Sequence, residues 1–189
     1  MRIIAGKFRG STLDMPKGKN TRPLKDLVRE SIFNLLTHSN KISFQFKQSN
    51  ILDLYSGTGS FGLECLSREA KSVCFIEKEK KTIKILEKNI KKLRLKEKIT
   101  IFHSDVMSLI KKINISQEKF DLVFCDPPFK NTNIKNLIEL VFYKECLQKN
   151  GILILHRNKM TKEELPNYFK IVDERIYGIS KIIFGKFLS

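Results

Sequence analysis

Three observations predict that this chain adopts an α/β fold built on a doubly wound, mainly parallel sheet. Short apolar runs that suit buried strands alternate with segments of helical periodicity over about 150 residues. One run opens the stretch ILDLYSGTGSFG, residues 51–62, which reads as strand, glycine-rich loop and helix. Two further runs, 170–177 and 181–188, lie on either side of Gly178 and predict a C-terminal antiparallel hairpin.

Length and composition favour a single domain over residues 1–189. The chain has 189 residues, of which 41% are hydrophobic, enough to bury a substantial core. The sequence contains neither the apolar centre of a signal peptide nor an apolar run of membrane-spanning length. We therefore expect a cytoplasmic protein.

The first 29 residues are strongly basic, with eight Lys or Arg residues against two acids. The segment RIIAGKFRGSTLDM also reads as two short strands about a glycine-containing turn, with Phe8 between two cations. Cations bind phosphates and an aromatic ring stacks on a base, so this hairpin suits RNA. The alternative is a solvated hairpin at a sheet edge. We predict RNA contacts for four cations of this region: Lys7, Arg9, Arg22 and Arg29.

The charge of the whole chain points the same way. A formal net charge of +16 suggests a polyanionic partner, and no basic amphipathic anchor for a membrane surface is present. An A/T-rich genome would explain the excess of Lys over Arg, but it would not explain why so few acids balance them. We therefore predict nucleic acid as the partner.

Cysteine and histidine spacing predicts neither a metal site nor a disulfide framework. The four cysteines lie on apolar segments without CxxC or Cys/His spacing, so buried, reduced thiols are expected. The histidines, His38, His103 and His156, are scattered, and each is expected at a strand end or on the surface. We predict no metal.

The remaining elements follow from hydrophobic periodicity. LKDLVRESIFNLL predicts a helix over 24–36, and the polar stretch 38–50 predicts a connection. After Glu77, an apolar stripe among lysines predicts an amphipathic helix. The other predicted elements are strands at 72–76, 99–103, 120–125 and 151–155, and a helix from 106 to 113.

The glycine-rich stretch predicts a cofactor site. Glycines at 57, 59 and 62 reproduce the spacing of a nucleotide-binding turn, although such a pattern also occurs in turns that bind nothing. Glu77 ends the next apolar run, where an acid can accept hydrogen bonds from both hydroxyls of a ribose. Asp53 beside the loop would repel a pyrophosphate but attract a cation, which favours S-adenosylmethionine over NAD. The predicted cofactor-binding residues here are Asp53, Ser56, Gly57, Gly59 and Glu77.

The tetrapeptide Asp126-Pro127-Pro128-Phe129 predicts methylation of an exocyclic amine. Such an amine is a poor nucleophile because its lone pair is delocalised into the base. The carboxylate of Asp126 and the carbonyl of Pro127 can each accept one N–H and so direct the lone pair at a methyl donor. The prolines fix the backbone, and Phe129 offers a face for stacking. The alternative is a turn that merely follows a buried strand.

With these residues in place, the chain resembles the bacterial small-subunit (16S) ribosomal RNA guanine-N2 methyltransferases of the RsmD type, which are class I S-adenosylmethionine enzymes. The glycine loop and DPPF are shared by many amine methyltransferases, whereas the two N-terminal segments narrow the family. The resemblance covers nearly the whole chain, through RIIAGKFRG, RPLKDLVRESIFNLL, DLYSGTGSFGLECLSR, DPPF and YGISKIIF.

The resemblance implies roles for individual residues. Asp53, Gly57 and Gly59 would bind the methionine end, Glu77 the ribose, Asp105 the adenine, and residues 126–129 the target amine. It implies a Rossmann-like sheet, with a basic hairpin and linker in 1–23 and the S-adenosylmethionine-binding catalytic core in 24–189. The implied partner is ribosomal RNA in the small subunit or its assembly intermediate, and we expect a monomer.

Two positions depart from the family pattern. Leu24 follows Arg-Pro where the family usually has Thr, so the hydroxyl of that position is missing here. His156 ends the fifth strand, where an acid is common in the family.

Three other functions stay open or are disfavoured. A non-catalytic RNA-binding module could have lost the DPPF acid, yet Asp126 is present. An adenine-N6 methyltransferase would use the same DPPF geometry, but one acting on DNA normally needs a target-recognition region that 189 residues barely accommodate. A nicotinamide oxidoreductase is disfavoured by Asp53 and has no use for DPPF.

Overall fold

The computed structural model describes residues 1–16, 26–42, 44–95, 98–112, 119–130 and 133–188. The predictions made for Arg22, Leu24 and Ile113 lie outside these residues. In chain order the elements are α1 (Asp26–His38), β1 (Asn50–Leu54), α2 (Ser60–Ser67), β2 (Ser72–Glu77), α3 (Lys80–Lys92), β3 (Lys98–His103), α4 (Val106–Lys112), β4 (Phe120–Cys125), α5 (Ile134–Tyr143), β5 (Leu147–Asn158), β6 (Phe169–Tyr177) and β7 (Ser180–Phe187).

The strands form one sheet in the order β3-β2-β1-β4-β5-β7-β6. The pairs from β3 to β5 are parallel, whereas β7 runs antiparallel to both β5 and β6. The predicted mainly parallel sheet with a closing hairpin is confirmed. Because β1 lies between β2 and β4, the chain winds outward in one direction and then in the other. The junction of β1 and β4 is therefore the point at which ligands bind in such sheets.

Alternate residues of the central strands pack into two apolar clusters, one on each face of the sheet. Ile51 and Phe124 belong to the cluster that includes residues of α1, α2 and α3, and Phe61 of α2 stacks on Phe124 at 3.9 Å between ring centroids. Leu52 and Val123 belong to the opposite cluster, with residues of α4 and α5. Because side chains on both faces of these strands are buried, the strands appear in the sequence as nearly continuous apolar runs.

Two elements differ from the sequence-based prediction. Sequence reasoning missed α5, although its buried residues Ile134, Leu137, Ile138 and Val141 follow helical spacing. The fifth strand begins at Leu147 instead of at residue 151, because the polar residues 148–150 are exposed and interrupt the apolar pattern. A helix between β4 and β5 is what a right-handed parallel crossover requires.

The N-terminal segment, residues 1–16, folds back on itself as a hairpin, through one antiparallel bridge between Arg2 and Thr12 and a hydrogen bond from the N–H of Leu13 to the carbonyl of Met1, but without two regular strands. The strands do not develop because several N–H groups of the segment bind α2. Those of Ile4 and Ala5 donate to the Oε2 and Oε1 atoms of Glu64 at 2.7 and 3.0 Å. The segment is therefore attached to α2.

Among the residues that the structure describes, no helix is both long and apolar enough to span a bilayer.

Candidate active site

A cavity of about 400 Å³ opens at the carboxyl ends of the central strands, where β1 and β4 meet. A volume in this range suits a small-molecule cofactor. It is formed by the loop after β1, the end of β2 and the loop after β4, and its walls include the predicted residues Asp53, Ser56, Gly57, Glu77, Asp126, Pro127, Pro128 and Phe129. Tertiary folding thus brings the two predicted motifs into one site.

The glycines of the loop have different physical roles. Gly57 adopts a left-handed backbone with φ of +57°, lines the cavity, and would place a Cβ in open space. Gly59 also has a left-handed backbone, and a Cβ there would lie 2.3 Å from Cδ1 of Leu86. Gly59 does not line the cavity in the described structure, so it shapes the loop by allowing α3 to approach.

Asp53 is buried beneath the loop, with 1% of its surface exposed. Its Oδ2 atom accepts the N–H of Gly62 in the first turn of α2 at 3.0 Å. Burial raises the pKa of Asp53 well above its usual range, the Gly62 N–H lowers it, and the charges of Asp126 and Glu77 raise it further. A cation in the cavity would stabilise the ionised carboxylate.

Glu77 connects the glycine loop to the end of β2. Its Oε2 atom accepts the N–H of Gly57, and its Oε1 atom accepts the N–H groups of Lys78 and Glu79, all at 2.8 Å. These bonds orient the carboxylate at the cavity wall. Since each carboxylate oxygen has two lone pairs, Oε2 can still accept a ligand hydroxyl.

The cavity is acidic although the protein is basic. Its walls carry the carboxylates of Asp53, Glu77, Glu79 and Asp126, against one lysine, Lys78, among the described residues. The whole chain carries a formal net charge of +16. This local reversal of charge favours a cationic ligand over a pyrophosphate, as the position of Asp53 in the sequence predicted.

The DPPF loop is held by the end of β5. Arg157 is 1% exposed, and its Nη1 and Nη2 atoms donate to the carbonyl oxygens of Pro128 and Phe129 at 3.2 and 3.3 Å. The Nε atom of Arg157 also binds Oε1 of Glu163 at 2.5 Å. Sequence reasoning missed Arg157, whose position near the end of an apolar strand was the only available signal.

His156 was predicted at a strand end or on the surface, and the structure places it near the end of β5, where it is buried beside Asp126. It lies in β5 with 6% of its surface exposed. Its Nδ1 atom lies 2.7 Å from Oδ1 of Asp126. Its ring also packs nearly perpendicular to that of Phe129, with 5.3 Å between centroids and 77° between planes. His156 therefore belongs to the site.

Tyr55 is a further residue of the cavity wall that sequence reasoning missed. It has a φ of +60°, in the left-handed region that a residue with a side chain seldom adopts. Such backbone conformations concentrate at functional sites.

Asp105 does not line the cavity in the described structure. Its side chain is exposed, and its Oδ1 atom accepts the N–H of Ser108, which caps the start of α4. A contact between Asp105 and an adenine therefore stays a prediction.

The predicted RNA-contacting cations differ in their surroundings. Lys7 and Arg9 are exposed in the N-terminal segment, and the Nζ atom of Lys7 lies over the ring of Phe8 at 5.4 Å. Arg22 is outside the described residues. Arg29 is completely buried in α1, where its Nη2 atom donates to the carbonyl of Arg2 and to Asp26. The prediction that Arg29 contacts RNA is wrong, because its guanidinium supports the N-terminal segment from inside.

The four cysteines, Cys65, Cys74, Cys125 and Cys146, are buried free thiols, as predicted. Over the described ranges, no three His, Cys, Asp or Glu side chains are grouped closely enough to hold a metal ion.

Comparisons with known proteins agree with the fold. The family described as Conserved hypothetical protein 95 matches residues 1–186. The Ribosomal RNA small subunit methyltransferase D of Buchnera aphidicola is 33% identical over 167 residues, 88% of this chain and 81% of that protein. The protein of the same name from Haemophilus influenzae is 32% identical over 180 residues, 95% of this chain and 90% of its own length.

A solved structure supports the same relationship. The putative methyltransferase yhhF from Escherichia coli superposes with a TM-score of 0.83 at 26% identity, covering 99% of this chain and 97% of that one. By the family match, the extent of identity and the shared architecture, this chain belongs to the Conserved hypothetical protein 95 family, which includes the ribosomal RNA small subunit methyltransferases D.

Proposed function

We propose that this protein is an S-adenosylmethionine-dependent methyltransferase of small-subunit ribosomal RNA and that its target is the exocyclic N2 amine of a guanine. The relatives named ribosomal RNA small subunit methyltransferase D support the reaction and the RNA class. One observation in the structure carries the proposal: Asp126 lines the same cavity as Asp53, Gly57 and Glu77.

The residues present fit S-adenosylmethionine, which supplies an electrophilic methyl group on a positively charged sulfur when bound. Asp53 and the other carboxylates of the cavity wall favour this cation and its ammonium group. Glu77 offers Oε2 as an acceptor for ribose hydroxyls. The left-handed backbone of Gly57 leaves open space where a side chain would otherwise stand.

The DPPF residues would act on the amine. Asp126 Oδ2 has no hydrogen-bond donor among the described residues, so it can accept one N–H of the target amine. The carbonyl of Pro127 can accept the other, and the half-buried ring of Phe129 can stack on the base. This arrangement directs the nitrogen lone pair towards the methyl donor, and Asp126 can accept the proton that the amine loses on methylation.

Lys7 and Arg9 would bind the phosphates of the RNA, since both are exposed. We propose guanine as the target because the N-terminal segments of the chain resemble those of the guanine-N2 methyltransferase family. We propose that the protein acts as a monomeric cytoplasmic enzyme without a metal, on the small subunit or its assembly intermediate.

The direct test uses S-adenosylmethionine with a deuterated methyl group and small-subunit RNA, naked or in ribosomal particles. Mass spectrometry of the nucleosides should find labelled N2-methylguanosine. Labelled N6-methyladenosine would move the target to adenine. Absence of label from both substrates, although the protein binds RNA, would favour a non-catalytic module.

The same assay tests Asp126. Asp126→Ala should lower the methylation rate by about a hundredfold or more, because a preorganised acceptor for the target amine is lost. Calorimetry should show that S-adenosylhomocysteine still binds this variant nearly as well as the parent. Methylation by Asp126→Ala at the parent rate would contradict the proposed role of the DPPF loop.

A further inference from the structure

Asp126 and His156 lie side by side because the two strands that carry them are neighbours in register. Cys125 of β4 pairs with Leu155 of β5, so the residues that follow them, Asp126 and His156, are also neighbours. There His156 Nδ1 lies 2.7 Å from Asp126 Oδ1. Thirty residues of sequence separate them.

The surroundings of the imidazole determine where its proton lies. An ionised carboxylate can only accept hydrogen bonds, so Nδ1 must be the donor in this pair. The other ring nitrogen, Nε2, is buried and has no hydrogen-bond partner among the described residues. An N–H at Nε2 would lack an acceptor, and the geometry therefore favours the neutral tautomer with its proton on Nδ1.

Packing holds this ring in place. Its nearly perpendicular contact with Phe129 fixes one side, and the pairing of His156 with Ile182 anchors its backbone between β5 and β7. Asp126 thus has one oxygen bound by a side chain that is itself held by packing, whereas Oδ2 has no donor from the described residues.

From this arrangement we infer that His156 is a positioning residue for amine methylation, an inference that rests on the proposed function. By donating from Nδ1 to Oδ1, it fixes the rotation of the Asp126 carboxylate and leaves Oδ2 directed to the substrate. The His156–Asp126 pair thereby keeps the acceptor preorganised before the base arrives. His156 acts through Asp126 and needs no contact of its own with the reacting atoms.

The test compares two substitutions of His156 by steady-state kinetics with S-adenosylmethionine and RNA. His156→Phe keeps an aromatic ring against Phe129 but removes the donor, and kcat should fall by about tenfold to a hundredfold. His156→Asn places an amide N–H near the position of Nδ1 and should recover most of that loss. KM for both substrates should stay within about twofold, because the pair orients the acceptor without binding the cofactor.

Two controls separate this role from a structural one. Melting temperatures identify any variant whose loss of activity reflects unfolding, and the exposed His38→Phe should behave as the parent. A His156→Phe enzyme with the parent kcat would overturn the inference, as would a well-folded His156→Asn enzyme that is as slow as His156→Phe. If the parent itself transfers no methyl group to any RNA, the proposed function fails instead.

Nuclear magnetic resonance tests the hydrogen bond without any turnover. In protein labelled with ¹⁵N-histidine, the signals of His156 are those that disappear in His156→Asn. They should report a proton on Nδ1, and Asp126→Ala should shift them while leaving those of His38 and His103 in place. An Nδ1 without a proton in the parent, or no response to Asp126→Ala, would contradict the proposed pair.

Discussion

Glu77 shows how one carboxylate can serve both loop geometry and ligand binding. It accepts three backbone N–H groups, including that of Gly57, and still faces the cavity. The same side chain therefore fixes the loop and is the acceptor that we propose for the ribose, so a substitution there should affect both.

We expect Glu77→Ala to weaken binding of S-adenosylmethionine at least tenfold, because charge-assisted hydrogen bonds contribute about 1.5–3 kcal/mol each. Calorimetry measures the affinity, with Glu87→Ala on the exposed face of α3 as a control that should bind as the parent does. Tight binding of NAD by the parent, with no binding of S-adenosylmethionine, would overturn the cofactor assignment.

Asp53 illustrates a conflict between stability and the proposed binding of a cation at the level of one residue. Its pKa is raised well above the usual value, chiefly by burial. The native state therefore holds its proton more tightly than the unfolded chain does. The free energy of unfolding falls as the pH rises from the ordinary pKa of aspartate through the native pKa, and the ionised group destabilises the ligand-free protein above that window.

Asp53→Asn should consequently raise the melting temperature at pH 7, while weakening the binding of a cationic cofactor. The amide oxygen can still accept the N–H of Gly62. A gain of about 1 kcal/mol corresponds to about 2–4 °C for a chain of this size. Melting curves of both ligand-free proteins should converge as the pH approaches 4. A lower melting temperature for Asp53→Asn at pH 7 would contradict the argument.

At the scale of elements, the N-terminal segment owes its place to side chains of α2 and α3. Glu64 binds its backbone at one end, and Asn89 exchanges hydrogen bonds with the backbone of Asp14 at the other. Met15 and Pro16 then reach the cavity wall. A segment that appears in the sequence as a basic extension thus lines the cavity as well as carrying the cations proposed to bind RNA.

Replacing Lys7 and Arg9 together with glutamine should flatten the slope of log RNA affinity against log salt by between one and two, since each phosphate contact contributes about 0.7–0.9. Cofactor affinity should not change, because both side chains are exposed and lie outside the cavity. RNA binding at several salt concentrations gives the slope.

The matched control removes two exposed lysines from the end of α4, Lys111 and Lys112, and so changes the net charge equally. If both double variants give the parent slope, the N-terminal cations contribute only to solubility. An equal reduction in both would indicate a diffuse electrostatic effect instead of specific contacts.

At the scale of the whole molecule, the cysteines report on the integrity of the core. They lie in both clusters of the sheet, and burial raises the pKa of Cys74 to about 12 and that of Cys146 to about 11. At neutral pH the thiols of the native protein are therefore protonated, and reagents in solvent do not reach them.

A thiol reagent should therefore label essentially none of the four cysteines in the folded protein, and all four in guanidinium chloride. Any slow labelling under native conditions should proceed through unfolding. Its rate should then follow either the unfolding rate or the fraction of molecules that is unfolded at equilibrium. Rapid labelling of one thiol under native conditions would show that the core is open at that position.

Local sequence was sufficient for the alternation of strands and helices, the glycine loop and the DPPF turn. In each case the determining physics acts over a few residues: the burial periodicity of a strand, the positive φ of Gly57, or the rigid backbone of two prolines. Because parallel strands end at a common edge, even the proximity of Asp53, Glu77 and Asp126 could be predicted before the structure was known.

Only the tertiary structure decided the roles of Arg29, Glu64, His156 and Arg157. In the sequence, Arg29 resembled any other cation of a basic region, and His156 resembled a histidine at a strand end or on the surface. The burial of Arg29 and the pairing of β5 with β4 show otherwise for their roles. Burial and charge pairing depend on which distant segments meet, and the partner of His156 lies 30 residues away along the chain. Sequence reveals that a polar residue is present, whereas its protonation, its partner and its access to solvent are determined by the packing around it.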